Sequence, residues 1–294
     1  MQRVRLGGTI LSLALVVAFP NSIFADSAEK LSRSVEDELA RESWAYSVGL
    51  QAYVFGLPVV IFEREYALRT DRGRIDRIRD KCPCAVVNEV GHFSRLATSD
   101  DVMPYTPNND TVYSGIVLDL SEEPIILRLP DIGDRYWSVQ IANPYTENQM
   151  YIGTRTTEGL GGHFAFVGPD WQGELPPDVI GRRMQYDAIM LAVRIGVVPE
   201  SKEDLDIVRS IQQDIVTTSL SNFVEHDFGI TRIPDSAVPR PSYDGELKFF
   251  QLLADLMIMY PPAPEHQAHV NTFRTIGLEV GKPFDPDSLD AATR

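Results

Sequence analysis

The chain has 294 residues, with 42 acidic against 27 basic side chains and a formal net charge of −15 at pH 7 with histidine neutral. That length is ample for a sizeable core, organised as one large β domain with helical additions or as two domains. So acidic a balance repels nucleic-acid phosphates and excludes nucleic acid as the expected partner.

At the N-terminus, Arg3 and Arg5 precede an apolar run from Leu6 to Phe19, a helix-breaking Pro20 and the small Ala25. This is the order of a secretory signal. The run is shorter than the roughly 20 residues of a membrane span, and no later segment reads as long and uncharged enough to cross. The expectation is cleavage after Ala25 and a periplasmic or secreted chain without stable membrane insertion, residues 26–294 forming a single domain.

From Ser34 the pattern turns helical over 34–69, with Ser34 placed to cap and Glu36, Asp37 and Glu38 placed for the helix dipole. Beyond Trp44 the apolar residues run nearly all round, which predicts a buried helix that Gly56 and Pro58 break or kink. The segment RTDRGRIDRIRDK that follows neutralises its own charge and reads as a solvated face. Cys82 and Cys84 stand either side of Pro83. A disulfide across one proline demands unusual geometry, so a redox-active bridge, two free thiols and a bridge to another chain all stay open.

Between about 111 and 195 short runs rich in valine, isoleucine and aromatic residues alternate with turn clusters such as PDIGD, TEGLGG and GPDWQGELPPD. In RYWSVQI, Tyr136, Ser138 and Gln140 fall on one face, and Trp137, Val139 and Ile141 on the other. The spacing predicts an antiparallel β-sandwich or barrel-like core. Helices return over 200–277, with Ser201 a cap, Leu205, Val208, Ile211 and Ile215 an apolar stripe, and Gly277 the last stop. The fold class is therefore α+β, with N-terminal and C-terminal helices packed around the β core.

No nucleophile elbow, dinucleotide fingerprint, P-loop or zincin helix occurs, so no cofactor is predicted. His266 and His269 are three apart and could meet one metal, but the polar, proline-flanked segment favours simple exposure, and no metal site is predicted. The stretch TPNNDTVYSG gathers amide, carboxylate, hydroxyl and phenol groups at the mouth of a strand. Asparagine and aspartate also cluster in turns for local reasons, and that plain reading competes with a pocket.

The stretches AYVFGLP, TPNNDTVYSGIVLDLS, LRLPDIGDRYWSVQIANPYT, GTRTTEGLGGHFAFVGPDWQGELP and IGLEVGKPFDP resemble, in the same order, the bacterial family called domain of unknown function 1254. Its asparagine, aspartate, threonine, aliphatic, tyrosine run falls on Asn109 to Tyr113, and its G-T-R-T-T run on Gly153 to Thr157. Members are often followed by a second β-rich module, the domain of unknown function 1214. The resemblance implies either a stand-alone form or a companion carried by a separate chain.

Two functional expectations follow. One is an exported protein that binds or transforms a small polar or carboxylated molecule by acid/base chemistry, hydrolase-like or lyase-like if it is an enzyme. In it Asp110 is the acid or base, Tyr113 a proton carrier, Asn109 an orienting amide, Arg155 an anion clamp, and Tyr136 and Gln140 line the face. It requires Asp110, Tyr113 and Arg155 to approach one cavity, and an Arg155 to Asp110 ion pair is the plain alternative. The other is a non-catalytic envelope module that docks a separate β-rich partner or forms a homo-oligomer.

Overall fold

The computed structural model of the protein describes residues 21–78, 81–101, 107–228 and 240–294, with side chains from residue 29 onward. The run Leu6 to Phe19, Tyr105 and Thr106, and most of the proline-rich link after Thr231 lie outside the described residues.

In chain order the strands are β1 (Val90–Phe93), β2 (Thr111–Asp119), β3 (Ile125–Leu129), β4 (Trp137–Ala142), β5 (Asn148–Gly153), β6 (Gly162–Val167), β7 (Val179–Arg183), β8 (Ala188–Gly196) and β9 (Val216–Ser219). They form two sheets. The first runs β1-β2-β8-β4-β5 and is antiparallel throughout; the second runs β7-β6-β3-β9. Period-two patterning explains the pairing of the sheets: in β8, Ile189, Leu191, Val193 and Ile195 point inward, while Met190, Ala192 and Arg194 point out. The inward sets interleave with Leu127 and Leu129 of β3 and Phe164 and Phe166 of β6, and Trp137 is fully enclosed among them. Two faces of this kind, joined by burial of large apolar side chains, are a β-sandwich.

Helices cover both outer faces. Helix α1 (Asn21–Thr70) and α5 (Lys248–Met259) pack Val48, Ala52, Val59, Phe62, Leu253 and Met257 over one end of the first sheet, where Val117, Ala188 and Met190 receive them. On the second sheet, Phe223 of α4 (Leu220–His226) and the loop residues Trp171 and Leu175 pack over Ile126, Ala165 and Val167. Helix α2 (Arg72–Ile78) buries only Ile75. Helix α3 (Lys202–Gln213) lies at the sandwich edge with Val208 buried, and the Ser201 hydroxyl caps it by accepting from Asp204 N–H at 3.1 Å. Gly277 ends the turn Asn271–Ile276 in the left-handed conformation, φ 78°.

Several expectations are corrected. Helix α1 runs unbroken through Pro58, and Ser34 lies inside it rather than at a cap. Proline removes the bond to the carbonyl of Val54, but that residue is exposed, where solvent meets the carbonyl. The helix is not buried all round: Tyr46, Leu50 and Val54 are exposed while Val48 and Ala52 are buried. It carries no charge from Ser43 to Phe62, and by length and composition it is apolar enough to cross a membrane. Residues 216–219 are a strand, because Val216, Thr217 and Thr218 are β-branched and pair with β3. The segment 180–195 divides between sheets, and β7 pairs parallel with β6 because the loop carrying Trp171 and Leu175 crosses the outer face before β7 begins.

Candidate functional site

The first sheet is only half covered. Its outer face carries three cross-strand rows in register, the last of them at the edge of the helix contact. They are Tyr113, Arg194 and Ser138; then Gly115, Ala192 and Gln140; then Val117, Met190 and Ala142. The middle of this face is small, because Gly115, Ala192 and Ala142 contribute little volume, and larger polar residues surround it. A cavity of 270 Å³ sits there, walled by Tyr113, Gln140 and Arg194 and, from α1 and the loop before β1, by Glu65, Arg69 and Pro83. A second, of 510 Å³, shares Gln140 and Arg194 and extends past Tyr136 and Ser138 to Tyr151 and Arg155.

Arg194 is the hinge between the two. It is half-buried, its guanidinium carbon lies 5.6 Å from the centre of the Tyr113 ring, and its Nη1 donates to Gln140 Oε1 at 2.9 Å. Gln140 Nε2 in turn donates to Asn148 Oδ1 at 2.6 Å, which fixes the amide so that its oxygen faces the arginine. Among the described residues no carboxylate pairs with Arg194. The other arginines of this face are differently placed. Arg135 is held by Asp204 at 2.5 Å and by the Gly196 carbonyl at 2.7 Å, and Arg69 by Glu65 at 3.2 Å. Those bonds hold the Asp204 carboxyl down at about 2.

The TPNND turn is built as well as polar. Asn108 N–H donates to the Tyr113 hydroxyl at 2.8 Å, and Val197 N–H to the Asp110 carbonyl at 2.8 Å. A phenol that accepts a backbone bond keeps its own proton to donate. Asn109 and Asp110 are exposed. Asp110 lines a third, open hollow of 840 Å³ with Asn108, Arg135 and Tyr136, and Arg155 does not reach it. Asp110, Tyr113 and Arg155 thus occupy three adjoining cavities rather than one, and among the described residues no ion pair joins Asp110 to Arg155. Gln140 and Tyr113 meet in the smallest cavity; Tyr136, Gln140 and Arg155 meet in the second.

In the G-T-R-T-T turn the threonines are internal fittings. Thr154 Oγ1 accepts from Trp137 N–H at 3.0 Å, Thr156 Oγ1 accepts from Gly153 N–H at 3.0 Å, and Thr157 Oγ1 donates to Gly153 O at 3.2 Å. A Cβ on Gly153 would stand 2.5 Å from the Trp137 carbonyl, and its φ is 150°. Arg155 is the side chain left facing out. Cys82 and Cys84 are disulfide-bonded. His266 and His269 pack their rings on Phe55, with centroids 5.7 and 5.8 Å away.

Sequence reasoning missed Arg194 and Glu65. Arg194 had a signal: in AIMLAVRIG the apolar alternation puts it on the face of Ala192, opposite the core. Glu65 had none, since only the meeting of α1 with the sheet brings it to the cavity. A separate buried cluster joins Arg240 to Glu63 and to the Tyr260 hydroxyl, each at 3.2 Å, with the guanidinium 3.7 Å from the Tyr66 ring centre. Burial raises the Glu63 carboxyl and pushes Tyr260 up to about 12. It opens on none of these cavities and ties residue 240 to α1 and α5.

A crystal structure of the VPA0106 protein from Vibrio parahaemolyticus is similar, with a TM-score of 0.60 and 21% identity over 84% of this chain and 54% of that one. The likeness is one of fold, and this chain spans about half the length of that protein. An uncharacterized protein from Burkholderia cenocepacia aligns at a TM-score of 0.30 and 11% identity, over 46% of this chain and 36% of that one. No curated protein matches. Residues 87–219, which hold both sheets and the face around Arg194, match the family described as protein of unknown function (DUF1254).

Proposed function

We propose that the open half of the first sheet binds a small carboxylated molecule, with its carboxylate on Arg194. The observation that supports this is a half-buried guanidinium at the junction of two cavities, oriented by Gln140 and without a carboxylate among the described residues. A desolvated, oriented guanidinium forms strong paired bonds to a carboxylate. Tyr113 supplies a hydroxyl proton at the same cavity, and Glu65 is the carboxylate nearest to hand for acid/base chemistry of the hydrolase or lyase type. In this reading Arg155 and Tyr136 receive the far end of a longer ligand, and Asp110 acts from the neighbouring hollow.

The test is a thermal-stability screen against pooled small mono- and dicarboxylates. A binder should raise the midpoint of the wild type and leave Arg194→Gln unmoved, the variant losing roughly 10- to 100-fold in affinity, the worth of a hydrogen bond to a charged group. Equal stabilisation of both proteins would sink the reading. The apolar N-terminal stretch is compatible with a signal, and export with cleavage after Ala25 belongs to the same proposal. N-terminal sequencing of the protein from a periplasmic extract should read from Asp26, and a retained Met1 would overturn it.

A further inference from the structure

On the other side of Pro83 lies a partly open cavity of 680 Å³ whose lining includes both Cys82 and Cys84. Its walls are rich in cations: Arg69, Arg74, Lys81 and Arg95 line it, against Glu65, Asp100 and Asp101. Two of these pairs are closed, Arg69 with Glu65 at 3.2 Å and Arg95 with Asp101 at 2.6 Å. The Nη1 of Arg74 is buried and has no hydrogen-bond partner among the described residues. A positive, partly enclosed hollow holding a disulfide is the setting in which a thiolate is attracted and a leaving thiolate is stabilised.

The loop bearing the disulfide is seated on two glycines that are partners in register, Gly91 of β1 and Gly115 of β2. A Cβ on Gly91 would stand 2.4 Å from the Cys84 carbonyl carbon, and one on Gly115 would stand 2.3 Å from the Pro83 carbonyl oxygen. No side chain fits beneath, so the backbone of Pro83 and Cys84 lies directly on the sheet and the two sulfurs are carried at the cavity wall. Cys84 is buried and Cys82 only half-buried, so an incoming group meets Cys82 first.

We propose that this cavity is a thiol–disulfide exchange site for a small thiol bearing an anionic group. A thiolate attacks Cys82 Sγ; the bond between the two Sγ atoms breaks and its electron pair leaves on Cys84. A second thiolate attacks the ligand sulfur of the mixed disulfide and releases Cys82 as thiolate. Two thiols are oxidised to one disulfide, the protein cystine is reduced to two thiols, and the protons lost by the incoming thiols balance those taken up by the cysteines. The site does not depend on ligand binding at Arg194.

The experiment measures the rate of reduction of the native protein by mercaptoacetate, 2-mercaptoethanol and cysteamine, each corrected for its thiolate fraction and read by alkylation and mass. Mercaptoacetate should react about tenfold faster than cysteamine at low salt, the low end of electrostatic steering into a charged cleft. Lys81→Glu and Arg74→Glu should each narrow or reverse that order, and Cys84→Ser treated with the symmetric disulfide of mercaptoacetate should hold one mercaptoacetate on Cys82 as a mixed disulfide, the other leaving as thiolate. The proposal is overturned if the disulfide reduces only when the protein unfolds. It is equally overturned if the three thiols keep one rate, or if the charge-reversed proteins, folded by circular dichroism, keep the wild-type order.

Discussion

At the scale of single residues, the anion position moves from Arg155 to Arg194, and the reason is burial. Both are arginines near a strand end or turn, but only Arg194 lies within a strand whose alternation sets it on the outer face of the sheet. That alternation carries Arg194 over a floor of Gly115, Ala192 and Ala142, while Arg155 sits exposed in a turn whose threonines bond the backbone of Trp137 and Gly153. His92 makes a different residue-level point. Its ring lies between β1 and the interior, bonded through Nδ1 to Ser114 at 2.8 Å, and burial pulls its pKa below the ordinary 6.5. The folded state therefore binds this proton less readily than the unfolded chain does. Its contribution to stability is present above pH 6.5 and is lost as pH falls through the lower folded value. Urea midpoints measured from pH 7 to pH 5 should fall less steeply for His92→Gln than for the wild type. Parallel curves would contradict the assignment.

At the scale of elements, the strands with clean alternation were legible, and the boundaries that failed did so where tertiary contacts override local pattern. Ile215 continues the apolar stripe of α3, yet the chain leaves the helix at Asp214 because β3 offers Val216 and Thr218 a pairing edge. Pro58 does not divide α1 because its neighbours Val59 and Phe62 are anchored under α5. The glycines of β1 and β2 read as ordinary weak points in a strand, and their purpose appears only when the Cys82 loop is seen resting on them. Gly115→Ala should lower stability by about 1–3 kcal/mol, as overpacking against a backbone atom does, because the Pro83 carbonyl at 2.3 Å must move. A chemical-denaturation midpoint equal to that of the wild type would show that the loop yields freely.

Over the whole molecule, the α+β class, the sandwich and the helices at both chain ends followed from composition and periodicity, since each layer needs one apolar face and the sequence supplies it. The functional face was half legible. The period of two put Tyr136, Ser138 and Gln140 on one strand face, and the register sets Ser138 and Gln140 beside the rows of Tyr113 and Gly115, but how much of that surface the helices leave open is decided by packing distant in sequence. The helix α1 contact ends at Met190 and Val117, and beyond it the sheet offers its polar rows to solvent. The most direct measurement is a calorimetric titration with the carboxylate that stabilises best in the screen, run in parallel on the wild type, Arg194→Gln and Arg155→Gln. Binding to the wild type, its loss by roughly 10- to 100-fold in Arg194→Gln and a smaller change in Arg155→Gln are the expected results. Undiminished binding to Arg194→Gln, or a loss confined to Arg155→Gln, would contradict the central claim.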